Sequence, residues 1–487
     1  MQKNILIFPA GTEIAFEIQN SLKYSKFVRL FGGSSTSDHA DFTYERLIGG
    51  FPYVNDDGFL DYLNKVIDEY DIDCVYPAHD SVCLFFSEHA EEIHAQVIIT
   101  DEHTTKICRS KQRTYEYFDG EVFIPRTYDT PDDIDEYPVF IKPAVGQGSV
   151  GVKKINNREE LERILAAQDS KVDRQKCNDA QDSRVNKLNG IDVKNDFRSK
   201  GENHTQNISP GKNREIHIVD EKFVDNSDGK MVICEYLPGD EYTVDCFTDL
   251  DGKLLFCRQR SRDRIKTGIS VRSRSMSTDD YVMMIAEKLN EKLSFKGAWF
   301  FQVKKKVDGE YRLMEVSPRI PGTAGLYRNC GINFPMLTLF TFWGYPVSII
   351  DNDYDIVLDR AFYSAFRIGI EYDTVYLDYD DTLTLEDKVN ADAMRFLYQA
   401  RNAGKRIILL SKHSTDLHVD LKNAGISEEL FDEIIVLSRE EDKSDHIIDK
   451  KAIFIDDSFA ERKRIKEKCG IPVFDVDMIE SLIDWRM

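Results

Sequence analysis

The densest group of reactive side-chain types lies in LDYDDTLT (377–384), where Asp378 and Asp380 stand two positions apart after an apolar run. Along an extended segment the two carboxylates share one side, and a turn lets both converge on a cation. A polar turn after a buried strand is the plainer reading. Three later features weigh against it: Ser411 closes IILLS, Lys443 stands in EEDKSDHI near a helix start, and Asp456 and Asp457 close KAIFIDD. Open α/β folds bind ligands at the C-terminal edge of a parallel sheet, and all these residues are predicted there. For the basic position, Lys412 and Lys450 are alternatives to Lys443.

A second group is dispersed over 141–319. In IKPAVGQGSVGV (141–152), Lys142 ends a predicted strand and precedes Gly146, Gly148 and Gly151. Glycines let backbone N–H groups approach a phosphate, and a lysine neutralises it. A glycine-tipped hairpin with no ligand accounts for the same residues equally well. In CEYLPGDEYTVD (234–245), Glu235 and Glu241 flank a turn, and an acid at a strand end can accept from ribose hydroxyls. Gln302 and Glu315 lie on the two arms of a hairpin whose tip is VDGEY. Facing each other, they would offer oxygen ligands to Mg²⁺. Arg262 and Lys266 in RQRSRDRIKTG (258–268) could grip a carboxylate, or be a solvated basic strand end.

The elements that must position these residues fall into three sections. Residues 1–100 alternate apolar runs (NILIFPA, FVRLFGG, CVYPAHD, AQVIITD) with helical spacers, which predicts a mainly parallel, Rossmann-like sheet. Gly11 after the first strand stands without the further glycines of a dinucleotide fingerprint. Residues 101–355 read as antiparallel strands plus helices, interrupted at about 171–214 by an Asn-, Asp-, Lys- and Arg-rich stretch with no hydrophobic period. That stretch carries 10 Lys+Arg against 6 Asp+Glu. It is expected to be a surface insertion, the sharper alternative being a basic lid over an anionic substrate. Residues 370–487 return to the parallel α/β pattern with the strands TVYL, KRIILLS, EIIVL, KAIFI and PVFDV.

Composition removes several classes. The 487-residue chain carries a formal charge of −22, which argues against a nucleic-acid partner while leaving room for a nucleotide. No stretch approaches the apolar length of a membrane span. MQKNILIFPAG reads as a strand rather than a signal peptide. Nine cysteines with no CxxC pair support neither a zinc site nor a disulfide framework, and point to a reducing, cytoplasmic compartment.

The ordered set over about 1–350 resembles the ATP-grasp superfamily, in particular its carbamoyl-phosphate synthetase-like and carboxylate–amine ligase branches. That resemblance implies a pre-ATP-grasp domain followed by two lobes that hold ATP between them. Lys111 and Lys142 match the family's two lysines, and Gly146, Gln147, Gly148 and Ser149 match its mobile phosphate-covering loop. Glu235, Tyr236 and Leu237 match the adenine hinge, and Glu241 the ribose acid. Gln302 and Glu315 match the magnesium ligands. Ser317 in MEVSPR stands where the family usually has Asn, so it is the weaker third ligand. Arg319 matches the arginine that steadies the transferred phosphoryl group. The cofactors implied are ATP and Mg²⁺, with Mn²⁺ as a substitute.

Residues 372–487 resemble the haloacid-dehalogenase-like (HAD) phosphohydrolases, with Asp378-Tyr379-Asp380-Asp381-Thr382 as the DxDxT motif. By that resemblance Asp378 is the nucleophile and Asp380 the general acid/base. Ser411 holds the phosphoryl group and Lys443 neutralises it, while Asp378, Asp380 and Asp456 hold Mg²⁺ with Asp457 in support. Asp381 replaces the common Gly. Only 33 residues separate Asp378 from Ser411, which implies a capless domain. The expected protein is bifunctional. It joins a small-molecule carboxylate to an amine through an acyl phosphate and removes phosphate from a phosphorylated metabolite, and homodimer formation is compatible with it. The alternatives are a small-molecule kinase of ATP-grasp type and a non-catalytic, regulatory C-terminal module.

Overall fold

The computed structural model describes residues 2–146, 150–166, 230–266, 268–385 and 388–486. The expected insertion at 171–214 and the loop residues Gln147, Gly148 and Ser149 lie outside the described residues. The chain divides into two compact units, one of residues 1–35 and 50–360, the other of 36–49 and 361–487. The sections expected at 1–100 and 101–355 therefore fall almost entirely in one unit, while 36–49 group with the C-terminal one. Among the described residues no helix is long and apolar enough to cross a membrane.

In the first unit, parallel strands run in the order Val28–Gly33, Lys3–Phe8, Cys74–Pro77, Gln96–Val97. Ile5 to Phe8 and Cys74 to Tyr76 are buried on both faces of the sheet, as continuous apolar strands of parallel sheets are. The Glu13–Leu22 helix follows at once because Thr12 caps it, its Oγ1 accepting from the Ala15 amide at 3.1 Å.

Two antiparallel sheets follow in the same unit. One has the order Thr127–Tyr128, Met231–Glu235, Val139–Pro143, Lys153–Ile155. The other has the order Leu254–Ser261, Glu241–Thr248, Gly297–Lys305, Tyr311–Ser317. The Asp280–Lys292 helix belongs to the core of that second sheet through Val282, Ile285, Ala286 and Leu289, spaced along one helical face. Its last two strands meet in the Asp308-Gly309 hairpin, where Gly309 takes φ +90°, a conformation that favours glycine.

The second unit is a five-stranded parallel sheet in the order Glu433–Val436, Arg406–Ser411, Thr374–Leu377, Ala452–Ile455, Val473–Phe474. Val375 and Leu377 enter one core and Tyr376 the other, following the two-residue period of a strand. The central strands end together, so Asp378, Ser411 and Asp456 emerge along one edge.

Candidate functional sites

In the first unit a cavity of about 520 Å³ opens between the strand–helix turns of the parallel sheet and the Tyr311–Ser317 strand. Of the residues singled out from sequence, Lys111, Gly146, Gln302, Glu315, Ser317 and Arg319 line it, together with Arg262. Lys111 opens the Lys111–Tyr117 helix, whose cap Ser110 accepts from the Arg113 amide. Its Nζ donates to the Gly146 carbonyl at 3.1 Å and lies 3.6 Å from Glu315 Oε2. Burial lowers its pKa from the usual lysine value, and the Glu315 charge opposes the shift.

Gln302 and Glu315 are direct cross-strand partners, and the ladder slips in register immediately after Gln302. Such an irregularity re-aims a side chain at a site. An amide oxygen and a carboxylate in that register fit a hard cation such as Mg²⁺. Ser317 is committed elsewhere: its hydroxyl donates to Asp80 Oδ1 at 3.2 Å. Arg319 forks onto the same carboxylate, Nε and Nη2 each donating at 2.6 Å. Burial pushes the Asp80 carboxyl up. The Arg319 charge and hydrogen bonds outweigh that, with help from Arg109, and hold it below the usual carboxylate range.

The remaining candidates stand outside this lining. Lys142 is 2% exposed, donates to the Tyr115 hydroxyl at 2.6 Å and lies over that ring at 5.0 Å. Glu235 ends the strand that pairs with Val139–Pro143 and accepts from the Arg126 amide at 3.0 Å. Tyr236 stacks under the Lys154 ammonium at 4.3 Å, and Leu237 is buried. Glu241 is held by Arg262 at 3.0 Å and Lys304 at 3.7 Å. Arg262 is thus largely buried and ion-paired rather than a solvated strand end, whereas Lys266 is exposed.

Sequence reasoning missed Asp80 and the pair Arg260–Asp245, both members 1% exposed and joined at 2.8 Å. Asp80 carried a usable signal: a polar residue just past the C-terminal end of a buried parallel strand.

In the second unit Asp378, Asp456 and Asp457 bring carboxylate oxygens within 4.8 Å of one another. Lys443 Nζ stands 3.0 Å from Asp378 and 2.6 Å from Asp456, nearly sealed from solvent. Burial depresses its pKa, but the two carboxylates prevail and raise it. Asp456 is raised by burial and by the nearby Asp378 charge, with Lys443 pulling the other way. Lys412 pairs instead with Glu461 at 2.8 Å, and Lys450 is exposed, so Lys443 is the lysine at the acids. Ser411 Oγ and Asp378 Oδ1 are buried with no hydrogen-bond partner among the described residues. A cation would satisfy the orphaned Asp378 oxygen, and a phosphate would accept from the Ser411 hydroxyl.

Asp380 is not a member of that cluster; Asp457 takes its place. The chain turns at Asp381, which holds φ +51°, and the Asp380 carboxylate faces His413 Nδ1 at 2.8 Å. His413 in turn meets Asp420 at 2.8 Å through Nε2, a contact that sequence reading did not foresee. Burial lowers the His413 pKa, but the two aspartates outweigh it and leave it above the ordinary histidine value.

Residues 227–356 match the family model described as "ATP-grasp in the biosynthetic pathway with Ter operon". A stretch of 94 residues is 29% identical to the 3-methyl-D-ornithine–L-lysine ligase of Methanosarcina mazei, covering 19% of this chain and 24% of that protein's own length. In fold, the chain is similar to the biotin carboxylase of Campylobacter jejuni with a TM-score of 0.52, 14% identity and coverage of 71% and 72% of the two chains. The N5-carboxyaminoimidazole synthetase of Staphylococcus aureus gives 0.51 at 11% identity, covering 73% and 81%. The family match thus lies within the first unit, and the likeness to the two solved structures is one of fold.

Proposed function

We propose that the first unit is an ATP-dependent carboxylate–amine ligase. The observation that carries this reading is the cavity wall in which Lys111, Arg319 and the facing pair Gln302–Glu315 come together. An oxygen of the substrate carboxylate would attack the γ-phosphorus, with ADP leaving and an acyl phosphate forming. An amine would then attack the acyl carbon and expel phosphate. Lys111 and Arg319 supply positive charge where charge develops, and Gln302 and Glu315 would hold the cation. A cation held there would offset negative charge on the nucleotide's phosphates. Support comes also from the short stretch shared with a ligase. Acid- and amine-dependent release of ADP across a panel of amino acids and sugar acids tests the proposal. A phosphorylated product without an amide would mark a kinase instead, and no acid dependence would sink both.

For the second unit we propose a Mg²⁺-dependent phosphatase of the haloacid-dehalogenase type acting on a phosphorylated metabolite. The supporting observation is the carboxylate cluster around Lys443, with Asp378 Oδ1 and Ser411 Oγ left unsatisfied among the described residues. Asp378 would attack phosphorus and break the ester bond. Asp380 would protonate the leaving oxygen and then deprotonate the water that frees the aspartyl phosphate. The absence of Mg²⁺-dependent phosphate release from p-nitrophenyl phosphate and from a panel of sugar and nucleotide phosphates would refute it.

A further inference from the structure

Asp80 stands where the Cys74–Pro77 strand of the parallel sheet turns into the Asp80–Glu88 helix, far in sequence from the EVSPR segment (315–319). Its buried carboxylate gathers two residues of that segment at once. Both Asp80 oxygens accept from the Arg319 fork, and Oδ1 also accepts from Ser317. Arg319 Nη1 donates to the Ile320 carbonyl at 3.0 Å, and the guanidinium lies 5.4 Å from the centre of the Phe300 ring. A guanidinium has five N–H donors. Among the described residues three are thereby used, which fixes its plane, and two remain on a residue that lines the cavity.

We infer that Asp80 is the positioning residue of the ATP-dependent site: it sets the plane of Arg319 so that the two remaining donors meet the terminal phosphoryl group, and it draws the Ser317 hydroxyl away from the cation. The inference rests on the ligase reading of this cavity. It gives Ser317 a role as a brace for Asp80, and leaves Gln302 and Glu315 as the cation's protein ligands. It also makes the parallel sheet of this unit part of the phosphoryl-handling apparatus, since a side chain from one of its strand–helix turns holds the arginine.

The test uses the full-length chain and two nucleotides, MgADP and the Mg²⁺ complex of the β,γ-imido analogue of ATP, titrated by calorimetry. The wild type is expected to bind the triphosphate analogue about tenfold or more tightly than ADP, the worth of a charge-assisted hydrogen bond. Asp80→Asn should abolish that preference while leaving ADP affinity within about twofold, because Arg319 is present but unaimed. Arg319→Gln should do the same, and the double variant should be no worse than Arg319→Gln alone. Should Asp80→Asn not fold, Asp80→Glu, which keeps the charge on a longer arm, should lose most of the preference. The inference is overturned if the Asp80 variants retain the preference. It is equally overturned if they weaken ADP and the analogue alike, as a purely structural role would, or if the wild type shows no preference. A wild type that binds neither nucleotide overturns the ligase reading as well.

Discussion

The two candidate sites manage charge in opposite ways. In the first unit four cations of the cavity wall come with carboxylate partners: Arg319 with Asp80, Arg262 with Glu241, Arg260 with Asp245, Lys111 beside Glu315. In the second, Asp378, Asp456 and Asp457 crowd together around one buried lysine, and two polar atoms are left without partners among the described residues. Each pair of the first arrangement is neutral as it stands, which suits it to aiming placed charges at a ligand. The second is incomplete, and a cation with a phosphate would complete it. Pre-paired charge costs little on ligand binding, whereas unpaired carboxylates hold their geometry only against a counter-charge.

This contrast can be broken in four ways, taken from the largest effect down. Asp378→Asn should lower phosphate release from p-nitrophenyl phosphate by about 10³-fold or more, the scale of losing a covalent nucleophile, with MgADP binding unchanged. Comparable turnover in that variant would remove the second site as drawn. Lys443→Met strands Asp378 and Asp456 without a counter-charge, and urea unfolding should show about 3–5 kcal/mol lost unless Mg²⁺ is added. An equal loss with and without Mg²⁺ would show that the cluster holds no cation.

Glu315→Gln should weaken Mg²⁺-dependent nucleotide binding about tenfold while leaving metal-free binding intact, the scale of about 1.4 kcal/mol. The last test uses acid. The Asp80 carboxyl is held below its ordinary value in the folded chain, so the unfolded chain takes up its proton first as pH falls. The stability Asp80 contributes is therefore complete above about pH 4 and declines below it, as pH falls toward the depressed folded value. Asp80→Asn should flatten that part of the acid-unfolding curve. If the curve is unchanged, the pair with Arg319 is not formed in solution.

Local pattern made the strands and the carboxylate motif legible. The Asp-Gly turn of 297–317 made the two arms legible and sets a register that would place Gln302 opposite Met314; the shift between Gln302 and Val303, which leaves no mark in the sequence, brings Glu315 there instead. The end of TVYL projects Asp378: apolar residues must stay in the sheet, so the first acid leaves it. Lys142 was legible as a strand-end lysine. Its burial against Tyr115 was not, because that ring comes from a helix 27 positions earlier. The departure of Asp380 toward His413 was hidden as well, since a partner 33 residues on leaves no local trace.

By itself, the sequence determined which residue types reach which strand ends, since hydrophobic periodicity and turn chemistry act over a few residues. Only the tertiary structure decided what each charge is paired with. Asp80 and Arg319 are 239 positions apart, and Lys443 meets Asp456 because a short helical turn, Lys443–His446, is packed against the end of the Ala452–Ile455 strand. A buried charge must take whatever partner the packing places within reach, and that choice is made in three dimensions.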